Sequence, residues 1–104
     1  MTKAAAMPND TTHLRPPQVT VVLPRALLDL FPGSQQEVTL SASTVDAMIG
    51  ALDARWPGMR DRLCDSTPGI RRHLNVFVDG RRATLQTPLR ADAKIFVLTA
   101  MSGG

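Results

Sequence analysis

Val45, Met48, Ile49, Leu52 and Trp56 follow the i, i+3, i+4, i+7, i+11 spacing of a single helical stripe. The apolar runs on either side alternate at a period of two instead. The order is therefore strand, strand, helix, strand, short strand, strand. A repeated βαβ array needs a helix between successive strands, so this order excludes it. The spacing predicts one main helix over residues 45–56, lying across one face of a mixed sheet of about four to five strands, an α+β roll. Ser43 is the expected N-cap, with Asp46 three residues on in the place of a capping-box acid. Pro57-Gly58 stops the helix. Gly50, beside the stripe, costs about 1 kcal/mol relative to alanine, and close approach of another element there would compensate.

The strands can be placed with their faces. Residues 18–23 put Val19, Val21 and Leu23 on one side, and Pro24 ends the run. Residues 25–31 read either as a loop or as a short helical turn. Pro32-Gly33 then turns the chain into residues 37–40, where Val38 and Leu40 are half of a second strand, antiparallel to the first. Residues 59–64 add a short turn of helix, with Met59 and Leu63 packing under Trp56 and Cys64 filling space as a small hydrophobe. Asp79-Gly80 is the strongest hairpin signal, because it supplies the positive φ angles of a type I′ turn. A two-residue turn pairs Val78 with Arg81, Phe77 with Arg82, Val76 with Ala83 and Leu74 with Leu85. Leu74, Val76 and Leu85 then share the core face, and Phe77 and Arg82 meet on the other, where an aromatic-guanidinium contact is worth about 0.5–1 kcal/mol. The last strand covers residues 94–98, with Ile95 and Val97 assigned inward. Val22, Phe77, Phe96 and Leu98 are then left as an outward apolar patch rimmed by Arg82, of the kind that marks a partner-docking surface.

Composition narrows the function. At 104 residues the chain holds one modest core, and 43% hydrophobic with 20% charged residues is the balance of a soluble globular domain. Residues 1–17, with three prolines and no apolar period, read as a flexible arm; residues 18–98 form the domain; residues 99–104 form a flexible tail. A single cysteine cannot form an internal disulfide, and no metal-spaced His/Cys set exists. The N-terminus lacks a signal-peptide core, so a cytoplasmic location and no membrane association are expected. The charge of +3 is spread over scattered arginines, and aromatic content is 4%. Nucleic-acid binding is therefore not expected, and an acidic protein partner suits the charge better. No G-x-S-x-G, phosphate-binding glycine loop or nucleophile with a neighbouring base is present, so no catalytic residue is assigned.

The tail is uncharged along Thr99-Ala100-Met101-Ser102-Gly103-Gly104 and follows the last strand directly. Glycines at its end fit a channel too narrow for other residues, and six extended residues span roughly 20 Å, enough to reach a partner's active site. This tail, the helix opening Ser43-Thr44-Val45 and the run Arg72-His73-Leu74-Asn75-Val76-Phe77-Val78-Asp79-Gly80 resemble the ubiquitin-like sulfur carriers of the ThiS/MoaD type. The segment from Arg72 leans toward the cysteine-biosynthesis and siderophore-type members. The resemblance covers residues 18–104 and implies a β-grasp fold.

It also implies a chemistry in which the protein is a substrate of enzymes. An E1-like adenylating enzyme using ATP and magnesium would activate the Gly104 carboxylate. A sulfur donor such as a sulfurtransferase would convert it to a thiocarboxylate, and a downstream synthase would accept the sulfur. Gly103, Ser102 and Met101 would be recognised as the tail, and no permanently bound cofactor or metal is implied. Two other classes share parts of this pattern: a ubiquitin-like modifier conjugated to lysines through Gly104, and a non-catalytic binding module. The modifier predicts a lysine isopeptide, whereas the binding module predicts that the tail can be truncated without effect.

Overall fold

The computed structural model describes residues 16–65 and 69–99. Strand β1 (Gln18–Val22) leads through helix α1 (Arg25–Leu30) to β2 (Glu37–Ser41). Helix α2 (Val45–Arg55) and the short α3 (Met59–Leu63) follow. A two-stranded ribbon of β3 (Cys64–Asp65) and β4 (Gly69–Ile70) precedes the hairpin of β5 (Leu74–Val78) and β6 (Arg81–Arg82), and β7 (Lys94–Thr99) comes last. Five strands form the main sheet in the order β2-β1-β7-β5-β6. β1 and β7 run parallel at its centre, and the remaining neighbours are antiparallel. This is the β-grasp arrangement: one main helix against a mixed sheet.

The period-two pattern sorts the sheet as expected. Val19, Val21, Val38, Leu40, Val76, Ile95 and Val97 face the helices and are buried. Val45, Met48, Ile49 and Leu52 of α2, Leu27 of α1, and Met59 and Leu63 of α3 complete one cluster with them. Leu74 and Trp56 pack at its edge, partly buried. At roughly 1.5–3 kcal/mol for each fully buried large aliphatic side chain, this cluster is the main stabilising contribution of the fold. Residues 25–30, ambiguous in sequence, form a helix because Leu27 has a core to enter.

Several local expectations are corrected. Thr44, not Ser43, caps α2: its backbone is extended and its Oγ1 accepts a hydrogen bond from Ala47 N at 3.1 Å. The other free donors of the first turn are met by a loop, Val45 N donating to Thr87 O at 3.0 Å and Asp46 N to Leu85 O at 2.9 Å. That service explains a second difference. The hairpin turns at Asp79 and Gly80 with φ of 49° and 87°, and Phe77 pairs with Arg82 as expected. The strand ends there, however. After Ala83 N bonds Val76 O, the chain leaves the sheet to cap α2, so Leu85 is buried without pairing with Leu74, whose partner is Thr99 on β7. The β3-β4 ribbon has no counterpart in the sequence reading, because two-residue strands are too short to carry a period.

Gly50 is approached by another element, as its cost suggested. A Cβ there would lie 3.4 Å from Arg60 Nη2. The Arg60 guanidinium from α3 crosses α2 at this point, donating to Asp46 Oδ1 and to Asp46 O, each at 2.9 Å.

Candidate docking face and tail

Register brings the outward residues into a transverse row. Val22 of β1 stands beside Phe96 of β7, Phe96 opposite Phe77 of β5, and Phe77 opposite Arg82 of β6. On the other side Val22 stands opposite Glu37 of β2. With strands about 4.8 Å apart, this row crosses roughly 19 Å of sheet. It has an apolar centre, an acid at one end and a base at the other. Leu98 lies two residues beyond Phe96 on the same face, opposite Asn75. Phe96 and Leu98 are 37% and 45% exposed, while Val22 and Phe77 are half-buried. All four apolar residues assigned to the patch thus share the face that bears no helix.

The charges around the row are placed differently from the sequence expectation. Arg82 does not cover Phe77; its Nη2 donates to Asn75 Oδ1. That hydrogen bond turns the guanidinium toward Asn75 and away from the Phe77 ring. The cation over a ring on this face is Lys94, its Nζ 5.6 Å from the Phe96 centroid. Lys94 Nζ also lies 3.8 Å from Glu37 Oε2, and with both side chains more than half exposed the pair contributes about 0–1 kcal/mol. Glu37, Asn75 and Lys94 were missed as rim residues. Lys94 was legible from its parity with Phe96; Glu37 and Asn75 become neighbours only once register is known.

The tail residues Met101, Ser102, Gly103 and Gly104 lie outside the described residues, as do residues 1–15 of the arm. The strand leading to the tail is described through Thr99, so the tail departs from the strand that holds Phe96 and Leu98. Cys64 is buried, and that burial pushes its thiol pKa up; the nearby Arg60 guanidinium opposes the shift only in part. A raised thiol pKa at a buried position is the opposite of an activated nucleophile. Among the described residues no group of three or more His, Cys, Asp or Glu is placed to hold a metal ion. No helix of the described residues is long and apolar enough to cross a membrane.

Comparison with known proteins agrees with this geometry. The ThiS family model matches residues 21–104. The chain belongs to the ThiS family. The sulfur carrier protein CysO of Mycobacterium tuberculosis is 33% identical over 92 residues, covering 83% of this chain and 98% of that protein. Its crystal structure superposes with a TM-score of 0.73 at 31% identity, covering 80% of this chain and 99% of that one. A chain from the BexX/CysO complex of Amycolatopsis orientalis superposes with a TM-score of 0.74 at 26% identity, covering 83% and 99%. SAMP1 of Haloferax volcanii, with a TM-score of 0.70 at 21% identity over 84% of this chain and 99% of that one, shares the fold. The ThiS-family chain is thus a CysO-like carrier protein rather than a catalyst.

Proposed function

We propose that this ThiS-family protein carries sulfur as a thiocarboxylate on Gly104. The Gly104 carboxylate attacks the α-phosphate of ATP, held with magnesium by an activating enzyme, and pyrophosphate leaves. Sulfide or a persulfide sulfur then attacks the acyl carbon. AMP departs with the acyl-oxygen bonding pair. Sulfide gives the thiocarboxylate directly, whereas a persulfide leaves an acyl disulfide whose S–S bond a second thiol then attacks, releasing the thiocarboxylate and carrying off the donor sulfur as a disulfide. The thiocarboxylate is the nucleophile presented to a sulfur-accepting synthase, a group-carrier role in which the partner supplies the catalysis.

One observation carries this reading: the family match runs through residue 104, so the Gly-Gly segment belongs to the matched domain. The face around Phe96 supports it. An activating enzyme seated on Val22, Phe77, Phe96 and Leu98 would hold the strand from which the tail departs, and five extended residues beyond Thr99 would span about 16 Å to the reacting centre. That the related CysO was crystallised in a complex with BexX supports a protein partner for this fold.

The test is intact-protein mass spectrometry after incubation with the activating enzyme, ATP, magnesium and a sulfur source. A sulfur-for-oxygen mass increase mapped to Gly104 is expected. A change mapped to Cys64, or an isopeptide bond to lysine in place of a thiocarboxylate, would overturn the reading. Deleting Gly104 is expected to abolish the reaction and leave unfolding unchanged.

A further inference from the structure

A second surface stands apart from the outward sheet face. Leu27 and Leu30 of α1, Leu74 of β5 and the arginines Arg62, Arg71 and Arg72 line a hollow of about 660 Å³ with Thr99 at its edge. Leu30 is 51% exposed, the most exposed large hydrophobic side chain among the described residues. A neighbouring hollow of about 400 Å³ shares Leu30, Arg62 and Arg71 and continues to Pro57 and Gly58. The two form one groove running from the root of the tail to the turn between α2 and α3.

One arginine of its wall, Arg71, is fixed in place. Arg71 N donates to Leu63 O at 2.9 Å and Arg71 Nε to Asp61 O at 2.7 Å, while Leu74 N donates to Arg71 O at 2.9 Å. The hollow beside Thr99 sets three arginines against one carboxylate, Asp65. The second hollow adds Asp61, whose backbone carbonyl receives the Arg71 Nε hydrogen bond. The groove is therefore cationic beside the tail and apolar at Leu30.

We propose that this groove docks an acidic segment of a partner protein, its carboxylates beside Arg62 and Arg72 and a leucine-like side chain against Leu30. Charge complementarity selects this occupant. Residues 1–15 of the chain itself carry Lys3 and Arg15 against Asp10 alone, residues 100–104 carry no charged side chain, and a second copy brings a net charge of +3. None of these supplies an excess of carboxylates. A partner held here would contact the protein at the tail's root and leave the Phe96 face free. The inference uses no reactivity of Gly104, so it stands or falls separately from the carrier reading.

The experiment is a two-dimensional amide NMR titration of the ¹⁵N-labelled full chain with a capped peptide of alternating glutamate and leucine. Saturable shifts are expected at residues 27–30, 62, 71–74 and 99, with Phe77 and Phe96 unmoved. Combining Arg62→Glu with Arg72→Glu is expected to weaken binding about tenfold or more, and the same spectra report whether that variant is folded. Leu30→Ser, at an exposed position, is a second variant expected to weaken binding. Shifts centred on the sheet face, no saturation, or undiminished affinity in the folded variants would overturn the proposal. Equal binding of a glutamate-serine peptide or of oligothymidylate would overturn it too, since neither offers a leucine-like anchor.

Discussion

Ile95 and Phe96 are covalent neighbours, yet one is fully buried and the other 37% exposed, because successive side chains of a strand point to opposite faces. Their substitutions are expected to separate stability from docking. Ile95→Ala removes core atoms and is expected to cost about 2–5 kcal/mol in urea unfolding. Phe96→Ser, at a position still largely covered, is expected to cost less, about 1–2 kcal/mol, while weakening association with the activating enzyme, measurable by titration calorimetry. A second pair separates the two candidate caps. Thr44→Ala is expected to cost about 0.5–2 kcal/mol, whereas Ser43→Ala changes stability by about 0.5 kcal/mol or less. The sequence could not distinguish them: adjacent hydroxyls offer the same chemistry, and which one meets the helix depends on the angle at which the chain enters. Cys64 gives a pH prediction. Burial raises its pKa in the folded state, so folding favours the protonated thiol. Its contribution is present in full below the ordinary thiol pKa and is lost as pH rises from there toward the folded value. Alkylation of the native protein by iodoacetamide is accordingly expected to remain slow in mildly alkaline buffer and to become rapid in urea.

Among the elements, those whose pattern repeats were legible in advance. The stripe from Val45 to Leu52 placed α2, the alternation of residues 18–23 placed β1, and Asp79-Gly80 placed the hairpin turn and its register at Phe77 and Arg82. The inward assignment of Ile95 and Val97 also held, and with it the outward placement of Phe96 and Leu98. What escaped were features set by tertiary demand. β6 stops after Arg82 because the free N–H groups of α2 require Leu85 and Thr87 as acceptors, a requirement invisible in either segment alone. The Phe77-Arg82 contact failed for a similar reason, since Asn75 on the same face offers Arg82 a hydrogen-bond acceptor. The crossing of α2 by Arg60 yields a prediction for Gly50. A methyl group there would meet the movable end of a guanidinium at 3.4 Å, so Gly50→Ala is expected to stabilise the protein by up to about 1 kcal/mol through helix propensity. Thermal unfolding measures it, and a loss of stability would show that the Arg60 bridge to Asp46 tolerates no displacement.

For the whole molecule, the edge of the required domain can be set from one hydrogen bond. Ala42 N donates to Pro17 O at 2.9 Å, so removing residues 1–15 is expected to preserve both the urea midpoint and thiocarboxylate formation. Removing residues 1–17 is expected to cost about 1 kcal/mol. The arrangement of the sheet has a further consequence for how the protein is made. β7 lies between β1 and β5, bonded to both. A ribosome that has reached residue 93 has therefore produced two separate strand pairs of the main sheet with no strand to join them. β7 is the strand that closes the sheet, and the sheet cannot complete before it is made, since the contacts that join β1 to β5 through it are distant in sequence. The same strand leads into the tail that partners are proposed to modify. A chain without a seated β7 would not present Phe96 and Leu98 beside Val22 and Phe77, so an activating enzyme docking on that face, as proposed, would discriminate the folded sheet from an unfolded chain.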